Sequence, residues 1–120
     1  MWIFTRQGFF SAVHDDYCNE GEIMVRARII DDLERLLEKT SIEADILVIR
    51  NADYRFRVKL SVEQWTDYVA GEAASIDYPN FKNAIIAKSE HERASAYMRC
   101  WEAMYQFQEA NAQSNHWGDE

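Results

Sequence analysis

The sequence predicts an α+β fold in which a four-stranded antiparallel sheet carries helices mainly on one face. Two stretches rich in aromatic and β-branched residues are each divided by a turn signal, as β-hairpins are. Each hairpin is followed by a segment whose apolar residues recur at helical spacing, and two more helical segments complete the order ββαββααα. The length of 120 residues suits one domain. We place that domain at residues 1–110, with a flexible polar tail at 111–120.

The first hairpin spans residues 2–14, "WIFTRQGFFSAVH". Aromatic and β-branched residues stand on both sides of Gln7-Gly8, and glycine is typical of a tight turn between two strands. A polar connection over residues 14–21 follows.

The next stretch, "EIMVRARIIDDL" at residues 22–33, fits two periods. Alternation would make it a strand. Helical spacing instead aligns Ile23, Ala27, Ile30, Leu33 and Leu37, which is longer than an ordinary strand. Acidic residues also precede arginines by four positions, an order that favours helices. We therefore predict a helix over about residues 22–37.

Residues 44–60, "ADILVIRNADYRFRVKL", predict the second hairpin. Its first arm, residues 46–49, is continuously apolar and is expected at the centre of the sheet. Its second arm alternates, which places Tyr54 on the same face as the apolar residues that follow it. The opposite face carries a basic row: Arg55, Arg57 and Lys59.

Three helices follow the second hairpin. Ser61 and Gln64 have the spacing of a capping box, so a helix begins at Ser61, with Trp65 in its buried stripe. Residues 77–80 contain Pro79 and interrupt the chain, and a short helix is expected at 81–88. A second capping-box pattern at residues 89–92 opens the last helix, which we expect to end near residue 110.

Charge and cysteine content narrow the function classes. The net charge is −8, which opposes general attraction to a phosphate backbone. Two cysteines, Cys18 and Cys100, are too few for a disulfide framework. We see no signal peptide and no apolar run long enough to cross a membrane, so the expected location is the cytoplasm.

The last helix has an unusually wide apolar arc of roughly 200° at 100° per residue. A helix that buries one side shows a narrower stripe, so this one should be covered on two sides. Other helices of the same chain are one candidate cover. A protein partner or a second copy of the chain, contacting Tyr97, Trp101 and Tyr105, is the other.

Two features could bind a ligand instead. Arg26 falls inside the predicted helical stripe, where it must reach solvent or meet a carboxylate, and one interpretation is an anchor for a ligand carboxylate. The basic row at residues 55, 57 and 59, with nearby Trp2, Phe4 or Tyr54, resembles sheets that stack nucleic-acid bases on aromatic rings. The simpler interpretation of the row is a solvated strand face.

Catalytic motifs are weak. His91-Glu92 begins like a zinc-protease helix, but Ser95 stands where the second histidine would be needed. Residues 14–18 hold metal-type ligands in one loop, and such a lone cluster is usually a solvated connection. We therefore predict no enzyme activity, no metal site and no cofactor.

Several blocks of the sequence resemble a family of small uncharacterised bacterial proteins. They are "MWIFTRQGFFSAV", "MVRAR", "DYRFRV", "IDYPNFK" and "AYMRCWEAMYQFQ", and the resemblance spans the chain to about residue 108. It implies no activity. The connection "HDDYCNEGE" departs from the family, whose corresponding segment is expected to be more basic and to contain proline.

The leading functional hypothesis is a small acidic interaction protein without enzyme activity. By analogy of size and charge, one version is a phage-type inhibitor that blocks a basic nucleic-acid-binding surface of a host defence enzyme. The alternative is a nucleotide- or RNA-binding module that uses Arg55, Arg57 and Lys59 with nearby aromatic rings, while Arg26 is a separate candidate for binding a ligand. In the inhibitor version the partner meets acidic side chains: Asp67, Glu72, Asp77, Glu90, Glu92, Glu102 and Glu109.

Overall fold

The structure is a computed structural model that describes residues 1–86 and 91–114. The chain forms two compact units, Met1–Ile76 and Asp77–Glu120, which are taken separately below. None of the helices in the described part of the chain is both long and apolar enough to cross a membrane.

Within the described residues, the first unit contains a five-stranded antiparallel sheet in the order β1-β2-β3-β5-β4, together with two helices. An α+β fold with an antiparallel sheet is thus confirmed, but with five strands rather than four. The elements are β1 (Trp2–Phe4), β2 (Phe9–Val13), β3 (Glu22–Ala27), α1 (Ile30–Thr40), β4 (Leu47–Val48), β5 (Phe56–Ser61) and α2 (Val62–Ala74).

The first hairpin is confirmed. β1 and β2 pair so that Phe4 lies opposite Phe9, and Thr5 and Gly8 exchange backbone hydrogen bonds of 2.8 and 3.2 Å across the turn. Gly8 has φ +157°, and a Cβ there would overlap the carboxyl group of Asp32 on α1. Glycine is therefore required for the close approach of the turn to the helix.

The predicted helix over residues 22–37 is wrong in its first half, because α1 begins only at Ile30. Residues 22–27 form β3, which lies at the centre of the sheet between β2 and β5. The two ladders pair this strand on both sides, whereas each i, i+4 charge pair contributes only about 0.2–0.5 kcal/mol to a helix. The helix begins at Ile30, after Ile29 in an extended conformation. Ile23 and Ala27 belong to the strand, and their spacing from Ile30 matches the helical repeat only by chance.

The expected central position of the second hairpin's first arm is also wrong. Only Leu47 and Val48 form a strand, β4, and it lies at the edge of the sheet, paired with β5 alone. Both side chains are exposed, because β3 occupies the central place beside β5.

The core lies between one face of the sheet and the two helices. Alternation turns every second side chain of the paired strands to this face, where the apolar faces of α1 and α2 cover them. The buried cluster consists of Phe10, Ala12, Val25, Ala27, Leu33, Leu36, Val58, Leu60, Trp65 and Tyr68.

The capping box at the start of α2 is confirmed. The Ser61 hydroxyl accepts a hydrogen bond from the Gln64 amide at 3.0 Å, and the Gln64 side chain accepts one from the Ser61 amide at 2.9 Å. This reciprocal pair fixes the first turn of α2 directly after β5, so that Trp65 enters the core.

The second unit contains α3 (Phe81–Ile86) and α4 (His91–Ser114). α3 packs on α4, and the rings of Phe81 and Tyr97 stack with centroids 5.9 Å apart and an 18° angle. α4 runs four residues beyond the expected end at 110. The predicted end of α3 at residue 88, the cap at Ser89 and the tail at 115–120 lie outside the described residues.

Candidate functional site

The most exposed apolar region of the second unit is on α4. Trp101, Met104, Tyr105 and Phe107 are 58%, 64%, 45% and 62% exposed, and we call them the α4 aromatic surface. At 100° per residue they cover an arc of about 160°. The rings of Trp101 and Tyr105 stack with centroids 5.2 Å apart and an interplanar angle of 6°, so the two aromatic rings lie parallel on this surface.

Tyr97, which was expected on the same surface, has a packing role instead. Its ring stacks on Phe81, and its hydroxyl accepts a hydrogen bond of 3.0 Å from Arg93. A groove of about 170 Å³ borders this pair and reaches Trp101; its other lining residues are Asn80, Lys82 and Met98. Tyr97 therefore packs α3 against α4, while the side chains of Trp101 and Tyr105 are exposed and can contact a partner.

Acidic side chains flank the α4 aromatic surface. Glu102 and Glu109 are seven residues apart, so they share one side of the helix. The Tyr105 hydroxyl donates to the Glu109 carboxylate at 3.1 Å. This bond and the negative charge of Glu109 raise the pKa of Tyr105 above its ordinary value.

The remaining predicted acidic residues do not all present free carboxylates. Glu72 lies on α2, is only 10% exposed and forms an ion pair of 3.2 Å with Lys39 on α1. Asp67 is exposed on the same helix, and the groove of about 410 Å³ between α1 and α2 borders both acidic residues. Asp77 and Glu92 belong to the second unit, and Glu90 lies outside the described residues.

The predicted ligand arginine, Arg26, is on β3 rather than on a helix. It sits in one cross-strand row with Trp2, Ser11 and Arg57, on the sheet face opposite the core. One guanidinium nitrogen donates to the Ser11 hydroxyl at 2.7 Å, and the group lies over the Tyr54 ring at 4.5 Å. Its Nε is shielded from solvent and has no hydrogen-bond partner among the described residues.

Tyr54 was expected on the core face, and this is wrong. The residue precedes β5, so strand alternation does not apply to it. Its ring lies 6.4 Å from Phe9 and carries two guanidinium groups, those of Arg26 at 4.5 Å and Arg28 at 4.2 Å. With 3% exposure, the ring is occupied by protein cations and is closed to a stacking base.

The basic row at residues 55, 57 and 59 is partly neutralised by acidic side chains of the same chain. Arg57 is 14% exposed and lies 4.0 Å from the Asp15 carboxylate and 3.7 Å from that of Asp53. Arg55 and Lys59 are exposed. Arg57 therefore pairs with carboxylates of the loop at residue 15 and of the turn at residue 53, and it holds both segments against the sheet.

The loop at residues 14–18 is held by its own hydrogen bonds. Asp15 accepts bonds from the Tyr17 amide at 3.0 Å and from the Cys18 thiol at 3.5 Å, and His14 bonds the Glu22 carbonyl at 3.0 Å. Burial raises the pKa of Cys18, so the thiol form is favoured. Within residues 1–86 and 91–114, no group of three metal-type ligands is present.

Sequence reasoning missed a buried polar network beneath the first hairpin turn. The Tyr68 hydroxyl lies 2.7 Å from both the Thr5 hydroxyl and the side-chain amide of Gln7, whose nitrogen donates to Tyr68 and, at 2.9 Å, to the Glu72 carboxylate. Asp32 is 2% exposed, accepts from the Phe9 amide at 3.1 Å and pairs with Arg35 at 2.9 Å. This network holds the turn against both helices. The one signal for it in the sequence is Asp32, an acidic residue beside the apolar stripe of α1.

Comparison with known proteins identifies no match: no family model, no curated protein and no solved structure is similar to this chain.

Proposed function

We propose that this protein is an interaction protein without enzyme activity, and that the α4 aromatic surface binds a protein partner. The observation that carries this is the exposure of Trp101, Met104, Tyr105 and Phe107, each between 45% and 64%. Tryptophan and tyrosine are enriched among residues that dominate binding energy, because they bury a large area at small entropic cost.

The size of the surface supports the same proposal. An aromatic side chain buries about 150–250 Å² in a core. At the observed exposures, the α4 aromatic surface presents roughly 400 Å² of side-chain area. Contiguous apolar patches of this size on a monomer are often functional.

The charge of the chain supports a narrower version, in which the partner is basic. The net charge of −8 would steer a basic surface toward this protein, and Glu102 and Glu109 flank the α4 aromatic surface. A phage-encoded inhibitor that covers a nucleic-acid-binding surface of a host defence enzyme fits this chemistry. Glu72 does not belong to the contact set, because it is paired with Lys39.

The experiment compares two exposed tryptophans. Trp101→Ala removes the centre of the α4 aromatic surface, and Trp2→Ala removes a tryptophan of the other unit that is even more exposed, 75% against 58%. The tagged full chain and both variants are incubated with bacterial extract, and retained proteins are identified by mass spectrometry. A partner that is retained by wild type and Trp2→Ala but lost by Trp101→Ala supports the proposal. A partner retained equally by all three contradicts it.

The alternative function, binding of a nucleotide or RNA, has one supporting observation. Trp2 is exposed and lies in the same cross-strand row as Arg26 and Arg57. Titration of a labelled oligonucleotide at low salt tests this directly. Binding that weakens steeply with added salt and is lost in Trp2→Ala but not in Trp101→Ala would establish the alternative in place of our proposal.

A further inference from the structure

We infer that the α4 aromatic surface binds a second copy of this chain, with the two α4 helices antiparallel; the inference rests on the proposed function and names, in addition to a basic partner, a second occupant of the same surface. The first observation is spacing. Cys100, Met104 and Phe107 occupy a–d positions of a heptad repeat, with Trp101 beside them, and we call these four residues the α4 seam. They fall within about 120° of the helix circumference at 100° per residue.

The described residues of the second unit leave the seam exposed. Cys100 is exposed, and the other three side chains are 58–64% exposed. α3 packs near Tyr97, and every described side chain from residue 101 to 111 is exposed or partly exposed. A seam of this spacing is complementary to another helix with the same spacing, and α4 itself supplies one.

An antiparallel pair with its two-fold axis at Met104 matches large side chains to one another. Met104 then meets its own copy, and Trp101 lies level with Phe107 of the second chain at both ends of the contact. That position is also the edge of the groove of about 170 Å³ beside Tyr97, so the second copy's phenylalanine ring would lie at the groove mouth.

Charge favours the antiparallel orientation over the parallel one. Residues 91–100 carry two arginines and one glutamate, a net charge of +1, whereas residues 101–114 carry two glutamates and no basic residue, a net charge of −2. Antiparallel pairing brings the positive half of each helix beside the negative half of the other. It also places opposite ends of the helix dipoles together.

The available area predicts a weak dimer. Roughly 400 Å² from each copy gives about 800 Å² in total, below the roughly 1,200 Å² of stable specific interfaces. We therefore expect a dissociation constant on the order of ten to several hundred micromolar.

Sedimentation equilibrium of the full chain, from about 5 to 500 µM, tests the inference. Wild type should pass from monomer to dimer across this range. Met104→Glu puts two like charges at the two-fold axis and should raise the dissociation constant at least roughly tenfold. Gln106→Glu adds the same charge about 200° away on the helix and should leave the dimer intact. A monomeric wild type, or equal dissociation constants for both variants, overturns the inference.

Disulfide formation tests the orientation, in chains that carry Cys18→Ser. In the antiparallel pair the two copies of Cys100 are about 12 Å apart along the axis, from eight residues at 1.5 Å each, and should not cross-link. With Cys100→Ser and Met104→Cys added, cross-linked dimer should form on mild oxidation. Efficient cross-linking through Cys100 would instead show a parallel, in-register pair and overturn the antiparallel arrangement.

The two proposals can fail separately. If wild type stays monomeric to 500 µM while Trp101→Ala still loses a retained protein, the second-copy inference fails and the proposed function stands. If Trp101→Ala and Met104→Glu change neither self-association nor protein capture, both fail.

Discussion

Replacing Gly8 by alanine should strongly destabilise the first unit. The added Cβ would overlap the Asp32 carboxyl group, which is 2% exposed and cannot move into solvent without leaving the Phe9 amide that it bonds at 3.1 Å. Overpacking of a core costs about 1–3 kcal/mol, and loss of the buried hydrogen bond costs a further ~1–3 kcal/mol. We therefore expect Gly8→Ala to lower the free energy of unfolding by about 2–6 kcal/mol.

Gly71→Ala is the matched control. Gly71 lies inside α2, and a Cβ there would meet no atom within 4 Å. Because alanine favours helix, this variant should gain about 0.5–1 kcal/mol. The opposite signs of two identical substitutions separate the steric effect of the Asp32 contact from any general effect of removing a glycine.

The assay is urea unfolding followed by Trp65 fluorescence, with the other three tryptophans replaced by phenylalanine. Trp65 is 6% exposed and reports the core of the first unit. With a slope of about 1 kcal/mol per molar urea, Gly8→Ala should lower the urea midpoint by at least about 2 M. In an Asp32→Ala background the same glycine substitution should cost only about 1 kcal/mol. An equal cost in both backgrounds would refute the steric explanation.

Three smaller predictions follow from individual contacts. Ser61→Ala removes the capping box and should cost about 1 kcal/mol in the same urea assay; no change would show that the cap is not needed. Arg26→Met keeps the aliphatic stem but removes the stacked guanidinium, and it should lower the free energy of unfolding by roughly 1 kcal/mol. The control Arg55→Met, at an exposed position, should lower it by less than about 0.5 kcal/mol. Glu109→Gln should lower the pKa of Tyr105 toward its ordinary value in an ultraviolet difference titration, and an unaltered titration would contradict the hydrogen bond.

The sequence allowed correct prediction of elements whose signals are local. The hairpin turn at Gly8 and the capping box at Ser61 each involve residues within a few positions of one another, and both are confirmed. The backbone conformation that a turn or a cap requires is encoded in the residues that form it, so no distant contact is needed to specify it.

The strand at residues 22–27 could not be predicted in the same way. Its side chains fit two periods, and the choice depends on pairing with β5, whose paired residues follow 29 to 39 positions later. Once β3 takes the centre, β4 is left at the edge, so a single wrong prediction also misplaced Leu47 and Val48. The contacts of Tyr54 with Arg26 and Arg28 depend on the same pairing.

The wide apolar arc of α4 was the sequence feature most useful for function. The sequence predicted an arc too wide for one buried side, and the described side chains from Trp101 to Phe107 are indeed exposed. The role of Tyr97 could not be foreseen, because its stacking on Phe81 depends on how α3 folds back onto α4.

Hydroxyl-radical footprinting tests the central claim, that the α4 aromatic surface is a binding surface, most directly. The oxidation rates of Trp101 and Met104 are measured by mass spectrometry in dilute buffer, at high protein concentration and in bacterial extract, with Trp2 as the exposed reference. We predict rates at Trp101 and Met104 that fall several-fold at high concentration or in extract while Trp2 is unchanged. Unchanged rates on α4 under all three conditions would contradict the account.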